Sequence, residues 1–200
     1  MAADIAAIMR SIEAFYDFTG RSVIHVGAGG GQFVGYAGRA RKVLGVDPDA
    51  DAVERLKAAV RQKRLEDRFT ALHGDILTVT ARADVVFFEF CLHEIVDPRA
   101  ALRHARELAP EILVADHAPG SAWAWCMCEG EKVQRGWAAA EEAGLAQDRR
   151  FESVQRFHDY AELHAKVGAL GECVIRRIAD YRERTDFTVD MPYRVARLAG

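Results

Sequence analysis

The stretch VIHVGAGGGQF, residues 23–33, followed by VLGVD, residues 43–47, decides how this chain is read. A short apolar run leads into Gly27, Gly29 and Gly31, and a helix is expected to begin near Gln32. Glycine permits the sharp turn out of a strand and lets a ligand approach the backbone with no Cβ in the way. Asp47 closes the next apolar run, twenty positions after Gly27. In a parallel sheet with right-handed crossovers those two ends are neighbours, so Asp47 can accept hydrogen bonds from both hydroxyls of a ribose. A glycine loop alone is weak evidence, and a turn that holds no ligand is the bland alternative. Spacing narrows it: the dinucleotide pattern G-x-G-x-x-G needs glycine at position 32, which is Gln32, so an NAD-dependent oxidoreductase is disfavoured.

Outward from that loop, SVIHV (22–26), KVLGV (42–46), RFTALH (68–73), DVVFFEF (84–90) and EILVAD (111–116) are short apolar runs. Between them, residues 50–64 and 98–109 repeat apolar positions at helical spacing, with Val53, Leu56 and Val60 in the first and Leu102, Ala105 and Leu108 in the second. Continuous apolar strands separated by helices imply an α/β fold: a doubly wound, mostly parallel sheet of about seven strands, the last antiparallel, flanked by helices. Residues 2–18 are expected to form an amphipathic helix ended by Gly20, residues 121–146 a helical stretch, and residues 161–171 another helix. Two β-rich runs in the tail, CVIRRIADY and TVDMPYRVARL, are expected to pair antiparallel at the sheet edge. The chain divides as one domain over 1–200: an N-terminal helix or lid (1–20), a cofactor core (21–117), a substrate-side insert and helix (118–170) and a C-terminal strand pair (171–200).

With 50% hydrophobic and 28% charged residues, the composition is that of a globular protein with a full core. A formal charge of −3 gives no general attraction for a phosphate backbone or an anionic membrane, so neither nucleic acid nor membrane is expected as a partner. Asp4, Arg10 and Glu13 interrupt the only leader-like segment, which places the chain in the cytoplasm by expectation. There Cys91, Cys126, Cys128 and Cys173 should be thiols. The Cys126–x–Cys128 pair raises soft-metal or metalloid chemistry, but it is not a complete zinc motif, and no metal is assigned. A homodimer is left open.

The spacing G-x-G-x-G resembles motif I of the class I S-adenosylmethionine-dependent methyltransferases, and the likeness continues in order over about the first 120 residues. Asp47, with Pro48, in GVDPD is similar to the family's ribose-binding acid. Asp75 in HGDI resembles the acid that accepts from the adenine amino group, with Ile76 packing on the ring. FEFCLHEIVDP (88–98) is similar to the family's segment after the fourth strand. The resemblance implies S-adenosylmethionine as cofactor and methyl transfer; a small-molecule acceptor is expected because the sequence shows no separate domain for recognising nucleic acid or protein. The resemblance also implies a cofactor site of His25, Gly27, Ala28, Gly29, Gly31, Asp47, Pro48, Asp75, Ile76, Glu89 and Phe90. One position departs: the family usually carries Asp or Glu where this chain has His25, and a neutral imidazole offers a hydrogen bond but no fixed charge. A non-catalytic nucleoside-binding module is therefore the alternative.

Methyl transfer needs an aligned nucleophile, exclusion of water and sometimes removal of a proton. Ligands of open α/β sheets bind at the carboxyl ends of the strands, where Glu89, Cys91, His93, Glu94, Asp116 and His117 fall. His93 is the preferred general base and His117 the second candidate, because imidazole titrates near neutrality. Cys91, Glu94, Trp123 and Trp125 are expected to line the substrate pocket, with Tyr16 as a lid residue. Trp123 and Trp125 are two apart, so only one can face inward on a regular helix.

Overall fold

The computed structural model describes residues 3–199. Its main sheet has seven strands in the order β3-β2-β1-β4-β5-β9-β6. Four of them follow the apolar runs closely: β1 (Ser22–Val26), β2 (Lys42–Asp47), β3 (Phe69–His73) and β4 (Val85–Glu89). β5 (Glu111–His117) pairs parallel to β4, and β9 (Tyr193–Leu198) lies antiparallel between β5 and β6 (Leu145–Phe151). Side chains of β4 and β5 are buried on both faces, which is why these strands are apolar without alternation. The helices α2 (Ala50–Gln62) and α3 (Pro98–Leu108) cover the sheet through Val53, Leu56 and Val60 and through Leu102, Ala105 and Leu108. Asp49 and Asp97 cap their first turns, satisfying amides that the helices cannot.

Three expectations change. The N-terminal helix α1 is shorter than 2–18, running Ile5–Phe15, with Ala2 outside the described residues and the chain extended at Tyr16 well before Gly20. No α-helix follows the glycine loop: a short 3₁₀ turn, Val34–Gly38, stands there, and its Gly35 and Gly38 are poor helix formers. The stretch 121–146 is two helices, α4 (Ala122–Cys126) and α5 (Gly130–Glu142), broken at Cys128, whose φ is +61°, and residue 145 already starts β6.

The tail also differs. The C-terminal strand pair expected over 171–200 does not form, because CVIRRI lies in a helix, α7 (Glu172–Ile178), that buries Val174 and Ile178 one turn apart. β8 (Thr185–Asp190) instead pairs with β7 (Val154–Asp159) in a separate two-stranded sheet, while β9 joins the main one. With α4, α6 (Tyr160–Val167) and α7, this small sheet packs around Phe157, Phe187 and Val189 as a cap. Cys128 and Cys173 are joined in a disulfide between the α4–α5 turn and α7, so two of the four expected thiols are not thiols. This also removes Cys128 from any metal pair with Cys126, which is buried and free.

Candidate active site

The glycine loop is built at the carboxyl ends of β1 and β2. Gly27 has φ +72°, and a Cβ there would lie 2.3 Å from the Cβ of Cys91, so the loop can pass β4 only with glycine at this position. Asp47 ties the loop down: its Oδ2 accepts from the Gly29 amide at 2.9 Å and its Oδ1 from the Asp49 amide at 2.9 Å. Each oxygen keeps a further acceptor position for a ligand hydroxyl. Asp75 is exposed and caps the 3₁₀ turn Ile76–Thr78, with Ile76 buried beneath it and Pro48 exposed above β2. Ala28 is buried under the loop, and the expected nucleoside-binding residues lie along this edge of the sheet.

Below the loop, His25 and Glu89 form a buried cluster. The His25 ring is fully buried, with Nε2 3.3 Å from Glu89 Oε2. Burial lowers the His25 pKa to about 3 and pushes the Glu89 carboxyl well above the usual carboxylate range, with Asp116 and Asp47 adding to the latter. Burial therefore disfavours charge on both groups. His25 Nδ1 and the nearby Tyr36 hydroxyl are buried without a hydrogen-bond partner. The acid missing at position 25 is thus present one strand away, at the end of β4.

Phe90 follows β4 with φ +45°, a conformation rarely taken by a residue with a side chain and one that collects at functional sites. It lines a cleft of about 160 Å³ together with His117, Trp123, Phe33, Ile8 and Met191. Trp123 is buried and stacks on Phe157, whereas Trp125 is 48% exposed under Arg177, so only the first of the two tryptophans reaches the cleft. Tyr16 is not there. It donates to Glu111 at the opposite end of β5, because α1 points its first residues, Ile5 and Ile8, at the cleft and its last turn away. Cys91 lies against the glycine loop, donating to the Val26 carbonyl at 3.2 Å.

The two histidines behave differently. His93 is buried, with Nδ1 2.6 Å from Asp116 Oδ1 and Nε2 3.4 Å from Glu94 and 3.5 Å from Glu129. Desolvation opposes its charge, but hydrogen bonds to the three carboxylates win and raise its pKa to about 11. In this arrangement both ring nitrogens face carboxylates, so His93 has no free nitrogen to take a proton from an acceptor. His117 is held neutral, chiefly by burial, with a pKa lowered to about 4. Its Nδ1 is buried without a partner. Glu129, Phe33, Gln155 and Met191 were not legible as site residues, since each reaches the site from an element whose position only the tertiary fold sets.

A glycine loop tied to an acid at the carboxyl edge of a doubly wound sheet, beside an apolar cleft, is the layout of a Rossmann-like domain. Residues 24–110 match the family described as a methyltransferase domain. The fold is that of the class I S-adenosylmethionine-dependent methyltransferases. A Bacillus halodurans protein described provisionally as a methyltransferase superposes with a TM-score of 0.69 at 14% identity, covering 96% of this chain and 97% of its own. Magnesium protoporphyrin IX methyltransferase of Synechocystis, solved with S-adenosylmethionine bound, gives 0.56 at 12% identity, covering 96% and 77%. Precorrin 8w decarboxylase of Methanobacterium thermoautotrophicum gives 0.64 at 14%, covering 97% and 90%. No curated protein sequence matches the chain.

Proposed function

We propose that the chain is an S-adenosylmethionine-dependent methyltransferase acting on a small, largely apolar acceptor. The carrying observation is the adjacency of the Asp47-tied glycine loop and the apolar cleft around Phe90 and His117. The residues present fit this cofactor: Asp47 retains acceptor capacity for ribose hydroxyls, and Glu89 is a buried carboxyl suited to a cationic amino acid moiety. When bound, the cofactor supplies an electrophilic methyl group on a sulfonium. Asp47 would hold the ribose, Asp75 and Ile76 the adenine, and Gly27 the close backbone approach. Phe90, Phe33 and Trp123 would exclude water and orient the acceptor, with His117 the uncharged polar group beside it.

A cleft of about 160 Å³ is close to the ~150 Å³ that accommodates benzene in an apolar protein cavity, which favours an acceptor with one ring-sized apolar group. Nucleic acid is not favoured, given the chain's negative charge. The Cys128–Cys173 disulfide counts against the expected cytoplasmic location, since disulfides are rare in a reducing compartment; among the described residues no helix is long and apolar enough to cross a membrane. Thermal unfolding with S-adenosylmethionine, S-adenosylhomocysteine and NAD tests the cofactor. Stabilisation by the first two is expected, and stabilisation by NAD alone would contradict the reading. Cofactor binding without turnover over a panel of small hydroxyl, amine and thiol acceptors would favour a binding module instead.

A further inference from the structure

We propose that His93, His117 and Glu129 form a site for a divalent transition-metal ion at the carboxyl ends of β4 and β5. One donor atom from each lies within 4.8 Å of the others. His93 Nε2 and Glu129 Oε2 are 3.5 Å apart, close to the ~3.4 Å between two donors of a tetrahedral ion with bonds near 2.1 Å. Glu94 lies 3.4 Å from the same Nε2 and stands ready as a further carboxylate, its other oxygen held by Lys132 at 2.9 Å.

Two features mark this as more than a cluster of polar groups. Asp116 accepts from both the backbone amide of His93, at 3.0 Å, and its Nδ1, at 2.6 Å. That arrangement fixes the ring with Nε2 outward, as a carboxylate behind a metal-binding histidine does, and an ion bound there would displace the Nε2 proton that faces Glu94 and Glu129. Independently, His117 is 92% buried and its Nδ1 has no hydrogen-bond partner, a cost that a bound ligand in this pocket would offset.

The chain also places the third ligand deliberately. Glu129 precedes α5 but does not cap it; its side chain turns to His93 instead. The turn that presents it is fastened through the adjacent Cys128 to Cys173. Two imidazoles with carboxylate suit zinc, iron or cobalt better than magnesium or calcium, which prefer all-oxygen shells. Because His117 lines the cleft, an open coordination position would face a donor atom of the acceptor. Only that last role rests on the methyl-transfer reading; the site itself rests on its ligands.

The test is metal binding by the full chain. Protein stripped with chelator is titrated with Zn²⁺ against a competing indicator, and with Co²⁺ followed by its visible d–d absorption. Stoichiometric uptake with tetrahedral Co²⁺ bands is expected. His117→Ala and Glu129→Gln should each weaken Zn²⁺ by more than the ~10- to 100-fold that loss of a ligand's hydrogen-bond partner costs. Glu129 lies on a partly exposed turn, so the second variant remains informative if the first fails to fold. No uptake by the wild type, or equal uptake by the variants, would overturn the site in favour of a protonated His93 bridging three carboxylates. S-adenosylhomocysteine binding, measured on the same samples, separates the two readings: a wild type that binds the nucleoside but takes up no metal refutes the metal site alone.

Discussion

At the scale of single residues, the exchange of an acid for His25 looks at first like a lost cofactor contact. Glu89 places a carboxyl at the end of the neighbouring strand, and burial disfavours charge on both it and His25. A cationic cofactor favours the carboxylate, so binding should release a proton and weaken as pH falls. Calorimetry in buffers of different ionisation enthalpy checks this, and Glu89→Gln should abolish the proton release and cost about 2 kcal/mol of affinity. His25 makes a separate prediction about stability. Its folded pKa, about 3, lies below the unfolded value near 6.5, so its contribution is present above about pH 6.5 and is lost as pH falls towards 3. Urea unfolding from pH 7.5 to 5 should show the wild type losing ground relative to His25→Gln; a constant gap would count against a buried neutral ring.

At the scale of elements, legibility divides at β5. β1, β2 and β4 are apolar because both faces are buried, and the glycine turn is chemistry local to residues 27–31, so both can be read from the chain alone. β6 is different: LAQDRRF is almost wholly exposed along the sheet's outer edge and shows neither an apolar run nor alternation. Its charges suit an edge that must not recruit another strand. In CVIRRI, β-branched residues point to a strand, yet packing of Val174 and Ile178 into the cap overrides that propensity. The disulfide between α7 and the α4–α5 turn was equally hidden, since a pairing 45 residues apart follows only from the fold. Thiol titration of unfolded, non-reduced protein should find two free thiols rather than four. Cys173→Ser should lower stability by up to about 4 kcal/mol, measured by denaturation with and without reductant, with no further loss on reducing the variant.

At the scale of the whole molecule, the main sheet supplies the edge that carries the glycine loop, and the cap supplies the other wall of the cleft. The candidate cofactor residues Gly27, Asp47 and Asp75 were legible because they sit in order at strand ends. The cleft was not, because it is assembled from α1, the glycine loop, β4, β5, α4 and the cap. Trp123, expected in the substrate pocket, lines the cleft, whereas Tyr16 lies at the other end of β5, because helix direction is not written in a helical repeat. Trp123→Ala should enlarge the cleft and shift acceptor preference towards bulkier rings, seen as a change in relative kcat/KM with cofactor affinity unchanged; uniform loss across acceptors would place the tryptophan outside the acceptor site.

Asp47 ties the glycine loop and, in the proposed function, would hold the ribose. Calorimetric titration of S-adenosylhomocysteine into the wild type and Asp47→Ala is the decisive measurement. Binding by the wild type and its loss in the variant, with the variant still folded by circular dichroism, is the predicted result. Equal affinity in the two proteins would contradict a cofactor site at the ends of β1 and β2.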